Sequence, residues 1–124
     1  MAAVAALLGQ PLMPWQRHVA DVVLEVDPQT GLLVYRSYVI IVGRQNGKTS
    51  WCRSKLAHRA QGFGRAQHTV YTAQTADHAR RKWLKDQVRV YQSSPLAEMI
   101  APGSPTLRLN NECLEWSNGS SHSP

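Results

Sequence analysis

The sequence predicts an α/β fold, a parallel sheet with flanking helices. Helix-like and strand-like patterns alternate along the chain, as they do where crossovers join parallel strands. The run Tyr38–Val42 is continuously apolar, the pattern of a strand buried on both faces. A glycine-bearing loop, Gly43–Gly47, separates that run from a helix expected to begin at Lys48.

The elements follow in order. Met1–Leu8 is apolar but has no positive charge before it, so it reads as a short helix rather than a secretory signal. Pro11 and Pro14 stiffen the lead-in. From Trp15 the pattern is helical, with Val19, Val22, Val23 and Val26 at i, i+3, i+4 and i+7. Asp27–Gly31 has turn composition, and Leu32–Tyr35 and Tyr38–Val42 read as two strands. The helix from Lys48 runs to about Ala60, and Gly62 and Gly64 close it. His68–Ala73 is the next strand. Ala76–Gln92 reads as one long helix with Trp83, Leu84, Val88 and Tyr91 on its apolar side. Ser93–Pro95 and Pro102–Pro105 are loops. Thr106–Asn110 and Cys113–Trp116 form a hairpin around Asn110-Asn111-Glu112, and Asn118–Pro124 has loop composition.

A length of 124 residues accommodates one modest domain. At 43% hydrophobic and 18% charged residues, the composition excludes a disordered chain and a membrane-embedded one. The net charge of +6 favours polyanionic partners. Cys52 and Cys113 lack the spacing of a zinc frame and read as reduced thiols. The five histidines show no metal spacing. Ser120, Ser121 and His122 have no matching acid for a triad. Trp15, Trp51, Trp83 and Trp116 read as packing residues.

The segment Val42-Gly43-Arg44-Gln45-Asn46-Gly47-Lys48-Thr49 carries chemistry. A glycine turn between a strand and a helix lets successive backbone N–H groups converge on phosphate oxygens. The helix N-terminus adds unpaired donors and the positive end of its dipole. Lys48 would reach the β- and γ-phosphates of ATP, and the Thr49 hydroxyl would coordinate Mg²⁺. The loop departs from the general pattern G-x-x-x-x-G-K-S/T, because the first glycine position holds Val42 and Gly43 follows one place late.

Arg44-Gln45-Asn46-Gly47-Lys48-Thr49 resembles the variant phosphate loop of phage terminase large subunits, the ATPases that package DNA. Pro14-Trp15-Gln16, about thirty residues upstream, is similar to that family's adenine-recognising glutamine motif, and a glutamine amide can both donate to and accept from an adenine edge. Tyr71-Thr72-Ala73-Gln74-Thr75-Ala76 looks like the family's second strand and helix start.

The resemblance covers residues 10 to 120 and implies a RecA-like (ASCE) P-loop NTPase sheet. It divides the chain into a lead-in (1–14), an adenine-side helix and hairpin (15–42), a phosphate loop (43–49), and helices, a strand and a hairpin (50–124). It makes Trp15, Gln16 and the whole loop from Gly43 to Thr49 nucleotide-binding residues. Lys48 and Arg44 become the catalytic cations, with Arg44 facing the γ-phosphate. The implied partners are double-stranded DNA, a portal protein, a small terminase subunit and further copies of the chain in the assembled motor. The implied setting is the host cytoplasm, at the procapsid portal.

ATP hydrolysis on this fold also needs carboxylates that hold Mg²⁺ and orient water. In the family these are adjacent acids at the end of an apolar strand. None of the eight acidic residues here stands in such a pair, so the sequence reads as an ATPase domain ending before its Walker B strand, inactive alone and lacking the nuclease domain. On the Ala76–Gln92 helix, Lys82, Lys85 and Arg89 fall within about 60° of one another and are candidate DNA contacts. Two other readings remain open. One is part of a superfamily 2 helicase-like ATPase, and the other is a non-catalytic remnant that binds DNA or a motor partner.

Overall fold

The computed structural model describes residues 1–108 and 111–124. Helices and a four-stranded sheet form one packed unit. The helices are α1 (Ala2–Leu7), α2 (Pro14–Val23), α3 (Lys48–Gly62), α4 (Ala76–Trp83) and α5 (Arg89–Gln92). A π-helical turn, Leu84–Val88, joins α4 to α5, and a 3₁₀ turn covers Pro95–Met99. The strands are β1 (His68–Val70), β2 (Thr106–Arg108), β3 (Asn111–Glu115) and β4 (Ser121–Ser123), in the spatial order β1-β4-β3-β2.

The sheet is mixed rather than parallel. Only β1 and β4 run parallel, with Thr69 opposite His122, whereas β3 is antiparallel to both β4 and β2. The expected hairpin is present as β2 and β3, with Thr106 opposite Cys113. Its turn at Asn110 lies outside the described residues. The tail read as loop supplies β4, because its serines and histidine find ladder partners in the distant β1 and in the neighbouring β3. Ser120 anchors it from below, its Oγ donating to the Ala60 carbonyl at 2.9 Å.

The core lies between α3, the α4–α5 helix and the sheet. Trp83, Val88, Tyr91, Leu96, Leu114 and Trp116 form its centre, with Leu8, Ala57 and Ala60 against them. The Tyr91 and Trp116 rings lie 5.3 Å apart, and the Tyr91 hydroxyl donates to the Arg53 carbonyl at 2.9 Å. Truncating one of these aromatic residues to alanine costs about 3–5 kcal/mol.

Three further expectations are corrected. Leu32–Tyr35 and Tyr38–Val42 are not ladder strands, and the hairpin reduces to one antiparallel bridge, Val26 to Leu33. No described strand pairs with residues 38–42, so Val39 and Ile41 stand 86% and 90% exposed. On α2 the buried positions are Gln16, Ala20 and Val23, at i, i+4 and i+7, while Val22 and Val26 face out. The long helix is interrupted by its π turn. No helix among the described residues is long and apolar enough to cross a membrane.

Candidate functional site

The glycine loop is a turn that ends where α3 begins, at Lys48. Gly47 caps the helix with φ of +80°, a conformation that side-chain-bearing residues rarely adopt. A Cβ there would also strike Met13 Cε and lie 2.6 Å from Gln16 Nε2. Gln45 takes φ of +60°, turning the loop within two residues. The first helical hydrogen bond runs from Trp51 N–H to the Gly47 carbonyl at 3.0 Å. The N–H groups of Lys48, Thr49 and Ser50 therefore precede the helical ladder and remain available as donors. The first turn holds no acidic side chain to oppose an anion.

Two hollows meet at Lys48. The polar one, about 400 Å³, has Gln45, Gly47, Lys48, Thr49 and Ser50 on its loop side and Gln10, Arg53 and Asp86 across from them. The smaller one, about 260 Å³, is walled by Trp15, Tyr38, Ile40, Trp51 and Cys52, with Lys48 again at its rim. Burial raises the pKa values of the Cys52 thiol and the Tyr38 phenol, as an apolar slot requires. The Lys48 amine donates to the Val42 carbonyl at 2.9 Å, folding back across the loop.

The predicted residues divide. Gln45, Gly47, Lys48 and Thr49 line the polar hollow, and Trp15 lines the apolar one. Gly43, Arg44 and Asn46 line neither, and the Arg44 side chain is exposed outside them.

Gln16, expected on the adenine side, lines neither hollow; it is buried and its amide is engaged within the chain. Its Oε1 accepts from Met13 N–H at 2.8 Å, and its Nε2 donates to the Gly47 carbonyl at 2.8 Å and to Ser50 Oγ at 3.3 Å. Trp51 Nε1 donates to the Gln16 carbonyl at 3.0 Å, closing the tie between α2 and α3.

Four residues of the polar hollow were not read from the sequence, one of them Ser50, directly after the predicted loop. Arg53 follows Thr49 by four positions, a spacing that places both on one helix face. Gln10 and Asp86 carried no local signal, and the π turn brings Asp86 to the hollow.

Lys82, Lys85 and Arg89, the expected basic stripe, are all exposed on the α4–α5 helix. Lys82 Nζ lies 3.1 Å from Asp86 Oδ2, so its charge is already paired. The π turn, Leu84–Val88, contains Lys85 and separates Lys82 from Arg89, so the three do not keep regular α-helical spacing.

A more strongly basic surface lies elsewhere, in a cleft of about 670 Å³ between residues 23–38 and α3. Arg36, Lys55, Arg59 and Arg65 line it beside Tyr35, Tyr38 and Phe63, and no acidic residue does. None of the four is in an ion pair among the described residues. Burial first, then the nearby Arg59 charge, pushes the Lys55 amine down to about 8. The Arg59 guanidinium lies 4.1 Å over the Phe63 ring.

Among the described residues, no group of three or more His, Cys, Asp or Glu side chains could hold a metal ion. Comparison of the chain with protein-family models, curated proteins and solved structures finds no match in any of the three.

Proposed function

We propose that this chain is the nucleotide-binding part of a viral DNA-packaging motor of the terminase large subunit kind, and that ATP is its ligand. The observation carrying this reading is the position of Lys48. It stands at the open N-terminus of a 15-residue helix, on the rim shared by a polar hollow and an aromatic one. A nucleotide has the same two-part chemistry, with a polyanionic chain and a flat apolar base.

The phosphates enter the polar hollow and meet the N–H groups of Lys48, Thr49 and Ser50. Lys48 Nζ exchanges the Val42 carbonyl for a phosphate oxygen, a local swing that requires no refolding. The base enters the smaller hollow against Trp15, with Tyr38 and Trp51 as neighbours. Gln16 holds the loop in shape from behind. Mg²⁺, which takes oxygen ligands and keeps several waters, would be carried by the phosphates with the Thr49 hydroxyl as its protein ligand. Bound there, it supplies positive charge between the phosphate groups.

The reading stops at binding. Among the described residues Asp86 is the one carboxylate on the hollow and is paired with Lys82, with no second acid lining it to orient water. Steady ATP turnover is therefore not expected of this chain. DNA is the second ligand of the reading, and the Arg36, Lys55, Arg59 and Arg65 cleft is a better-supplied surface for its phosphates than the α4–α5 stripe. A portal protein, a small subunit and further copies of the chain are partners implied by the same reading, in the host cytoplasm.

Calorimetric titration with MgATP tests the claim. Saturable binding that Lys48→Ala removes supports it, and absence of binding by the unaltered chain overturns it.

A further inference from the structure

Arg53 is an unusual side chain for a helix surface. It is 5% exposed and lines the polar hollow one helical turn beyond Thr49. Its NH1 donates to the Asp86 carbonyl at 2.8 Å and its NH2 to Gln10 Oε1 at 2.7 Å. Both acceptors are neutral. Three of the five guanidinium N–H groups remain after these bonds, and Nε itself is buried with no partner among the described residues. Among the described residues Asp86 is the one carboxylate on the hollow; its Oδ2 lies 3.1 Å from Lys82 Nζ, and its charge also favours the protonated Arg53.

This arrangement is costly without a counter-charge. A guanidinium removed from water needs an anion or a full set of hydrogen bonds, and arginine stays protonated even when buried. Burial lowers the Arg53 pKa, against the opposing pull of Tyr91 and Asp86. The side chain thus brings a buried positive charge and unused donors to a hollow already bounded by Lys48 and the open end of α3. An anion in the hollow satisfies all three.

We propose that Arg53 is a second phosphate-binding cation of this site, opposing Lys48 across the polyphosphate chain with the guanidinium N–H groups that its two hydrogen bonds leave over. This deepens the nucleotide reading and rests on it for the identity of the ligand, although the chemistry it names is that of a polyphosphate. Lys48 approaches from the loop. Arg53 approaches from the helix face, held in place by Gln10 of the lead-in and the carbonyl of the π turn.

The test is calorimetric titration of the purified chain with MgATP and, separately, with tripolyphosphate, on Lys48→Ala, Arg53→Lys and Arg53→Met. Thermal melting with and without each ligand accompanies it. Arg53→Met is expected to weaken both ligands about tenfold or more, the size of one charge-assisted hydrogen bond. Arg53→Lys, which keeps a charge but not the planar fork, is expected to fall between. The rise in melting temperature on adding tripolyphosphate shrinks with Arg53→Met.

A merely structural arginine gives the opposite pattern, with a lower melting temperature for the free protein and unchanged affinity and ligand-induced shift. That result overturns the inference and leaves the nucleotide reading intact. Should Arg53→Met fail to fold, Arg53→Lys with unaltered affinity for both ligands overturns it equally. Arg53-dependent binding of tripolyphosphate without binding of ATP supports the inference and sinks the nucleotide reading. Binding of neither ligand by the unaltered chain overturns both.

Discussion

Gln16 Nε2 donates to the Gly47 carbonyl at 2.8 Å, tying the first turn of α2 to the residue that caps α3. The two residues are 31 positions apart in sequence, and this bond fixes the end of the glycine loop against a separate helix. With its amide engaged in this way, Gln16 braces the end of the loop.

Gln16→Ala is accordingly expected to destabilise the fold by about 1–3 kcal/mol, since it strands the Met13 N–H and removes the tie to Gly47. It should weaken ATP, GTP and tripolyphosphate by the same factor. Urea unfolding and parallel titrations measure both effects, and an ATP-selective loss would restore Gln16 as the adenine reader. Gly47→Ala combines a strained φ with the contacts to Met13 and Gln16, and is expected to cost about 2 kcal/mol or more.

How much of this was legible follows from the range of the forces involved. The helix start at Lys48, the turn before it and the buried tryptophans at positions 51, 83 and 116 are set by local pattern, and each is found where expected. Strand β4 was not legible, because Ser121–Ser123 is extended only through ladders to His68–Val70 and to β3. Arg53 was missed because its burial depends on Gln10 and on the carbonyl of a π turn, neither of which shows in a helical wheel. The 38–42 run was read as a strand buried on both faces; its apolar pattern would need a neighbouring strand to bury it, and none among the described residues pairs with it.

That exposed run leads to a prediction of its own. Val39 and Ile41 present apolar side chains along an unpaired backbone, a template for edge-to-edge association. Val39→Lys with Ile41→Lys is expected to reduce concentration-dependent light scattering of the purified chain without lowering its melting temperature. Unchanged scattering would show that association, if present, uses another face.

The basic cleft is expected to bind duplex DNA with strong salt dependence. Each phosphate contacted contributes about −0.9 to the slope of log affinity against log salt, so four cations give roughly −3 to −4. Arg59→Gln should reduce the steepness by about one unit and Lys82→Gln should leave it unchanged. Fluorescence anisotropy over a salt series measures the slopes, and the reverse ranking would return the interface to the α4–α5 helix.

His122 supplies a pH dependence. Its ring is 2% exposed, edge-on to Trp83 and 6.2 Å from Tyr91, and burial pulls its pKa down to about 4. The folded state therefore holds His122 neutral while the unfolded chain protonates it near 6.5. Its stabilising contribution is complete above about pH 6.5 and is lost as pH falls towards 4. His58, held down to about 4 chiefly by burial, acts in the same direction. Urea midpoints should fall between pH 7 and pH 4.5, less steeply in His122→Phe. An identical decline in the two proteins would show that His122 is not buried neutral.

The central claim concerns Lys48 and the open end of α3. Its most direct measurement is the dissociation constant for MgATP, by calorimetry, of the unaltered chain and of Lys48→Ala. Saturable one-to-one binding that weakens at least about a hundredfold on losing the amine is the expected result. Heat that is absent in both proteins, or equal in the two, would contradict the account.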